Sequence, residues 1–132
     1  MSVVLMAIKP EYVELILNGD KWFEYRRVMP QKDVDKILIY ETAPVSRVVG
    51  EAEVLTLVSA CVDDLWKWTW RFSGIFTYKE YLDYFAGCKQ AYAYRLGKVR
   101  KYKTPYTLED LHIARAPQSF CYLPDDYISG LF

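Results

Sequence analysis

The sequence predicts an α+β domain: a small mixed β-barrel of about six strands with two or three flanking helices. Three observations carry that reading. Short runs of period-two alternation are interleaved with segments that carry helix start and stop signals, without the regular strand–helix crossovers of a parallel α/β sandwich. A long strand candidate contains a lone glycine, Gly50, at the position where a closing barrel needs a bend or bulge. The chain has 132 residues, 52% of them apolar, with no internal repeat, low-complexity region or linker, so residues 1–132 are read as a single domain around one core.

Taken in order, Ser2 to Ile8 is a β-branched apolar run and reads as a buried first strand. Pro10 suits the first turn of a helix, where its missing N–H costs nothing, and Glu11 complements the helix dipole. Tyr12, Val13, Leu15, Ile16 and Leu17 supply a broad apolar face, and Asn18-Gly19 stops the helix. From Trp22 the pattern alternates as a strand, with Trp22, Glu24 and Arg26 on one face and Phe23, Tyr25 and Arg27 on the other. A core-facing surface has little use for Glu24 and Arg26 beside a tryptophan, so the spacing suggests a lined cleft; a solvated ion pair under an edge tryptophan is the plainer alternative.

Met29 to Lys32 makes a turn, and Val34 to Tyr40 is the next strand. Arg47 to Ser59 is the longest strand candidate, with Val48, Gly50, Ala52, Val54 and Thr56 on one face and Val49, Glu51, Glu53, Leu55 and Leu57 on the other. Asp63 or Asp64 is expected to cap an aromatic helix through Leu65, Trp66, Trp68, Trp70 and Phe72. Thr77 to Glu80 forms a capping box ahead of a helix that Gly87 ends. Gln90 to Lys103 alternates as a strand that Pro105 is expected to break. Thr107 to Asp110 starts a single turn, and Gln118 to Leu123 reads as a final strand. Beyond Pro124 the tail is acidic and then apolar at Leu131 and Phe132, and is expected to dock or fray.

Seventeen basic residues balance seventeen acidic ones, so the whole-molecule field does not itself point to nucleic acid, and any anion site must be local. Lys98, Arg100, Lys101 and Lys103 form one such local patch, although basic runs also serve as solvated edges that discourage strand pairing. Twelve tyrosines and four tryptophans suit stacking sites and interfaces. Cys61, Cys88 and Cys121 lack CxxC or histidine partners, so neither a disulfide framework, a metal site nor a cofactor is expected. No signal peptide or membrane span is read, and a soluble, cytoplasmic protein with reduced thiols is expected. His112, the sole histidine, reads as structural, and Ser119 lacks a nucleophile-elbow context.

Five segments in order then carry a resemblance: Lys9-Pro10-Glu11, Gly19 to Arg27, Ile39 to Val45, Val49 to Val54, and Ala116 to Tyr122. Together they resemble the ASCH domain family, whose β-barrel is similar to the PUA domains of RNA-modifying enzymes. The resemblance implies a cleft between barrel and helices with RNA or a nucleotide as the ligand class. It implies lining by Lys9, by Lys21, Glu24, Arg26 and Arg27, and by strand ends near Tyr40, Thr42, Ser119 and Tyr122. In the branch of the family that hydrolyses N4-acetylcytidine, a lysine three residues before a threonine acts with a helical glutamate. Lys21 fits that lysine, but Glu24 stands where the threonine nucleophile is needed, which disfavours that chemistry.

Three readings of function follow. In the first, the domain is an RNA or nucleotide binding module, with Lys21, Arg26 and Arg27 holding phosphate and Glu24 orienting the arginine or accepting from a base edge. In the second, it is a metal-independent enzyme on RNA or a modified nucleoside, with Lys21 and Glu24 catalytic. There Glu24 takes the 2′-hydroxyl proton, Lys21 stabilises charge and Tyr40 serves as acid. In the third, tyrosine and tryptophan anchors hold a protein partner.

Overall fold

A computed structural model describes residues 2–124; the tail residues Leu131 and Phe132 lie outside them. The chain runs β1 (Val3–Ile8), α1 (Pro10–Asn18), β2 (Phe23–Arg26), β3 (Lys36–Glu41), β4 (Arg47–Cys61), α2 (Val62–Thr69), a short 3₁₀ turn (Trp70–Phe72), α3 (Tyr78–Tyr84), β5 (Gln90–Tyr106) and β6 (Phe120–Tyr122). Six strands form one curled half-barrel sheet in the order β2-β5-β4-β3-β1-β6. β1 and β3 pair in parallel, and the other neighbours are antiparallel. This mixed α+β architecture with three α-helices is the one the sequence predicts.

Both faces of the sheet are covered, which is why β1 is apolar at nearly every position. Val4, Met6 and Ile8 point into the curl, where Val13 and Ile16 of α1 meet Ile37, Ile39, Val49, Ala52, Tyr94 and Leu96. Burying Val13 and Ile16 contributes about 1.5–3 kcal/mol each, enough to hold a helix of two and a half turns that would be unstable alone. Val3 and Leu5 point the other way, into a second cluster with Leu38, Tyr40, Val48, Tyr102, Leu111 and Leu123. A third cluster joins Tyr25, Ala91 and Ala93 of β2 and β5 to Leu65 of α2 and to Tyr81 and Phe85 at α3.

The helix signals act where they stand in the chain. Gly19 adopts φ 84°, and the N–H groups of Gly19, Asp20 and Lys21 donate to carbonyls of Ile16 and Leu15, so α1 closes by reversing directly into the segment that carries Lys21. Thr77 accepts from the Glu80 N–H at 3.1 Å, as its capping box predicts. At α2 the expectation fails. Cys61 is the N-cap residue and no side chain caps it; Asp63 and Asp64 lie in the first turn, and Asp63 accepts from the Tyr78 hydroxyl instead.

β4 and β5 also depart from the simple alternation. The register jumps between Val48 and Gly50, so Val48 joins the outer cluster while Val49 and Ala52, three residues apart, both face the inner one. A Cβ on Gly50 would sit 2.6 Å from the Arg100 carbonyl, which makes glycine the residue that permits this approach. Pro105 does not break β5, which continues to Tyr106; it falls in the stretch between the Lys101 and Tyr106 pairings, where its missing N–H removes no ladder bond. Among the described residues no helix is long and apolar enough to cross a membrane, and all three cysteines are free.

Candidate functional site

A cleft of about 680 Å³ opens where β2, the end of β1, α1, α3 and the segment before β6 meet. Its floor comes from two local features. The Gly19 reversal delivers Lys21 beneath α1, and the alternation of β2 sends Glu24 and Arg26 inward while Tyr25 packs against α2 and α3. Lys21 and Glu24 are only 3% and 6% exposed. The Lys21 ammonium lies 3.5 Å from one Glu24 oxygen, and the Arg26 guanidinium lies 2.7 Å from the other. Lys21 also donates to the Ser73 carbonyl and sits 5.1 Å and 5.7 Å from the ring centroids of Tyr12 and Tyr25.

Arg26 has a structural task as well. From an outer strand of the sheet it donates to the Ala7 carbonyl at 3.0 Å and to the Ser119 hydroxyl at 3.1 Å. A side chain, not a backbone ladder, thereby ties β2 to β1 and to the approach of β6 across the opening of the curl. Its Nε is buried and has no hydrogen-bond partner among the described residues. Glu24 has both oxygens engaged by cations, so it acts first as a brace that keeps two positive groups side by side.

Burial pushes the Lys21 ammonium below its ordinary pKa; the attraction of Glu24 opposes this, the nearby Arg26 charge adds to it, and desolvation prevails. The same buried setting holds the Tyr12 and Tyr84 hydroxyls above their ordinary values, Tyr12 further raised by Glu11, Glu80 and Glu24. For Tyr84 the first opposing influence is Arg26.

Of the residues singled out in the sequence, Lys9, Lys21, Glu24, Arg26, Arg27, Thr42 and Ser119 line this one cleft. Tyr40 and Tyr122 do not. Strand alternation puts Tyr40 on the same face as Leu38, in the outer cluster and away from the cleft, so it is not available as the acid of a cleavage reaction. Tyr122 packs beside the inner cluster, its hydroxyl accepting from the Lys32 N–H at 2.9 Å. Sequence reasoning missed the opposite wall, made by Tyr12 of α1 and by Glu80, Asp83 and Tyr84 of α3. The i, i+3, i+4 spacing of those three α3 residues put them on one helix face, a signal that was readable, but nothing local shows that the face meets β2. The Arg27 guanidinium lies 5.0 Å from the Tyr84 ring centroid, joining the two walls.

Fold and cleft together define a class: a small half-barrel domain of PUA-like type with a charged, aromatic-walled cleft at the mouth of the curl. Within that class the chain belongs to the ASCH domain family, whose profile matches residues 6–94. It is 32% identical over 124 residues to a Zymomonas mobilis protein named ASCH domain-containing ribonuclease, covering 90% of this chain and 82% of that protein. The crystal structure of ASCH from Zymomonas mobilis superposes with a TM-score of 0.86 at 29% identity, covering 98% of this chain and 92% of that one. The same protein has also been solved as a serine-to-alanine and as a tyrosine-to-phenylalanine variant. The chain is further similar, at 33% identity over 122 residues and 92% of its own length, to a Ureaplasma parvum protein named ATP synthase subunit alpha, of which it spans 15%. A match of 24% identity over 123 residues, 92% of this chain, is to the protein uL22 of the large ribosomal subunit in the same organism, of which it spans 39%.

Proposed function

We propose that this domain binds single-stranded RNA in the cleft, with nucleotides lying over the Lys21–Glu24–Arg26 floor. The observation that carries the reading is the convergence of that floor with two exposed cations, Lys9 and Arg27, and two tyrosines, Tyr12 and Tyr84, in one hollow of nucleotide size. Lys9 and Arg27 are exposed at the rim and supply phosphate contacts. Tyrosine rings suit base stacking, and carboxylates at Glu80 and Asp83 accept from amino groups on base edges. The ribonuclease name of the Zymomonas relative supports an RNA-related role.

The test is fluorescence anisotropy with a short labelled RNA across a salt series. Lys9→Ala and Arg27→Ala should each weaken binding by about tenfold and reduce the salt slope by about one unit, uniformly across sequences. Arg26→Ala is the poorer probe because it also opens the sheet closure. Equal affinity for the wild type and the Lys9→Ala/Arg27→Ala double variant would remove the basis of the proposal.

A second reading, metal-independent cleavage of the bound RNA, is favoured by one observation: a buried lysine that gives up its proton more readily than usual, in a relative of a named ribonuclease. Lys21 would accept the 2′-hydroxyl proton as that oxygen bonds to the adjacent phosphorus and the bond from phosphorus to the 5′-oxygen breaks, and would return the proton to the departing 5′-oxygen, while Arg26 offsets the charge that builds at the phosphate. Glu24 keeps the two in register. Incubation of RNA with purified protein in chelator should yield 2′,3′-cyclic phosphate ends and should stop with Lys21→Met while binding persists. Intact RNA after prolonged incubation leaves binding alone as the function.

A further inference from the structure

The long hairpin of β4 and β5 outruns its neighbours. β3 pairs with β4 only from Arg47 to Glu53, and beyond the Val54 N–H, which donates to the Asp35 carbonyl at 2.9 Å, no strand lies along the far side of β4. From Leu55 to Ala60 the backbone groups that point away from β5 have no hydrogen-bond partner among the described residues.

An open edge is a template for another strand, and proteins blunt such edges with shortness, charge or proline. The other open edges here are blunted. β2 has four residues and carries Glu24 and Arg26, β6 has three, and the stretch of β5 beyond β2 carries Lys98, Arg100, Lys101, Lys103 and Pro105. The far half of β4 reads Val54-Leu55-Thr56-Leu57-Val58-Ser59-Ala60-Cys61, without a charge, a proline or a glycine. A bulge bends it between Val54 and Thr56, but from Thr56 to Cys61 its pairing with β5 is regular. Val58 and Ala60 are anchored on the cluster under α2 and α3 and Leu57 on the inner one, while Ser59 and Cys61 are exposed. An edge already fixed in this way gives up little freedom when a strand adds to it.

We propose that this edge pairs with the same edge of a second copy of the chain, antiparallel about a two-fold axis at Ser59, so that one sheet runs through a dimer. The composition of the segment fits self-pairing. It carries no charge, so no like charges meet across the axis, a conflict that two-fold pairing of the lysine-rich stretch of β5 would create. About Ser59 the hydroxyl faces its own copy, Val58 faces Ala60 and Leu57 faces Cys61, so each larger side chain meets a smaller one. Each copy offers the edge once, and the assembly closes at two chains. None of the residues lining the main cleft lies on this edge, so dimer formation and RNA binding stand or fall separately.

The experiment is sedimentation equilibrium of the full chain from low to high concentration. Wild type should pass reversibly from the mass of one chain to that of two. Ser59→Lys sets two ammonium groups face to face at the axis and should weaken the dimer at least about tenfold. Ser59→Thr keeps the hydroxyl and suits a strand, and should leave the dimer unchanged. Ser59 is exposed, so both variants should melt at the wild-type temperature. Register is read with Ser59→Cys in a Cys61→Ser background. Oxidised with diamide, that variant should give a disulfide-linked dimer, while wild type, whose Cys61 lies opposite Leu57 in the pairing, should not. A chain that stays single at every concentration overturns the second copy as occupant and leaves the edge to a strand of another protein. A dimer that tolerates Ser59→Lys, a Ser59→Cys variant that fails to cross-link, or species that grow beyond two chains overturns the two-fold pairing at Ser59.

Discussion

Two buried carboxylates in this domain have nearly the same immediate chemistry. Glu24 lies between Lys21 and Arg26, and Glu51 lies between Lys36 at 2.6 Å and Arg100 at 3.0 Å; each glutamate is 6% exposed. The surroundings separate them. Around Glu51 the cations reach water, with side chains 20% and 55% exposed, and the carboxylate ties three neighbouring strands, β3, β4 and β5, across the sheet. Around Glu24 the cations are 2% and 12% exposed, and all three groups line a cavity. A glutamate flanked by two cations is therefore not in itself a site. What distinguishes Glu24 is that its partners cannot discharge their desolvation into solvent, so their charge and their protons stay available to whatever enters the cleft.

The sharpest way to break the comparison is to remove each carboxylate in turn. Glu24→Gln leaves a buried ammonium and a buried guanidinium without a counter-charge, and should cost about 3–5 kcal/mol in urea unfolding. Glu51→Gln should cost about 1 kcal/mol, because water screens Lys36 and Arg100. Equal losses would mean that exposure of the cations does not matter.

Gly50→Ala attacks the Glu51 side alone. Its Cβ would meet the Arg100 carbonyl, and the strained bulge should cost about 2–3 kcal/mol. The amide and ammonium signals of Lys21 in NMR spectra should not shift; if they do, the two networks are coupled through the sheet.

A smaller effect is expected at the closure of the curl. Ser119→Ala removes one of the acceptors of Arg26 and should cost about 1 kcal/mol by the same unfolding measurement. No change at all would mean that the Ala7 carbonyl and Glu24 suffice to hold β2.

The subtlest test is pH. An unfolded chain binds a proton on Lys21 near the ordinary value of 10.5, and the folded protein binds it less well. Protonation thus favours the unfolded state, so this group's contribution to stability rises with pH in the window just below 10.5 and falls as pH drops through it. Buried tyrosines act oppositely: Tyr94, pushed up to about 12 by burial, keeps its proton when folded, so stability is lost as pH rises above 10.0 toward that value. The difference between wild type and Lys21→Met isolates the lysine, and should slope upward as pH approaches 10.5 from below. A flat difference would show that Lys21 titrates as a free amine.

Much of this fold was legible locally. Pro10, the Asn18-Gly19 stop, the Thr77 cap and the alternation of β2 each act through bonds to residues close in sequence, and the positions they predict are where the elements lie. The order of five short segments was enough to point to the family, and the pairing of Glu24 with Arg26 follows from a strand's period of two. The misreadings have two causes. The faces of β4 depend on bulges, and one extra residue in one strand exchanges the two faces beyond it. Tyr40 follows plain alternation with Leu38, and which face of β3 meets the cleft is a long-range matter.

Sequence by itself determined which side chains share a strand face or a helix face, because steric repulsion and short-range hydrogen bonding fix those periods within a few residues. Only the tertiary structure decided which faces meet. Arg26 reaches a hydroxyl 93 residues away, and Tyr84 closes a cleft whose floor is at Lys21 and Glu24. Those encounters come from the curl of the whole sheet and from burial, which also lowers the pKa of Lys21, and neither is encoded in any one stretch of the chain.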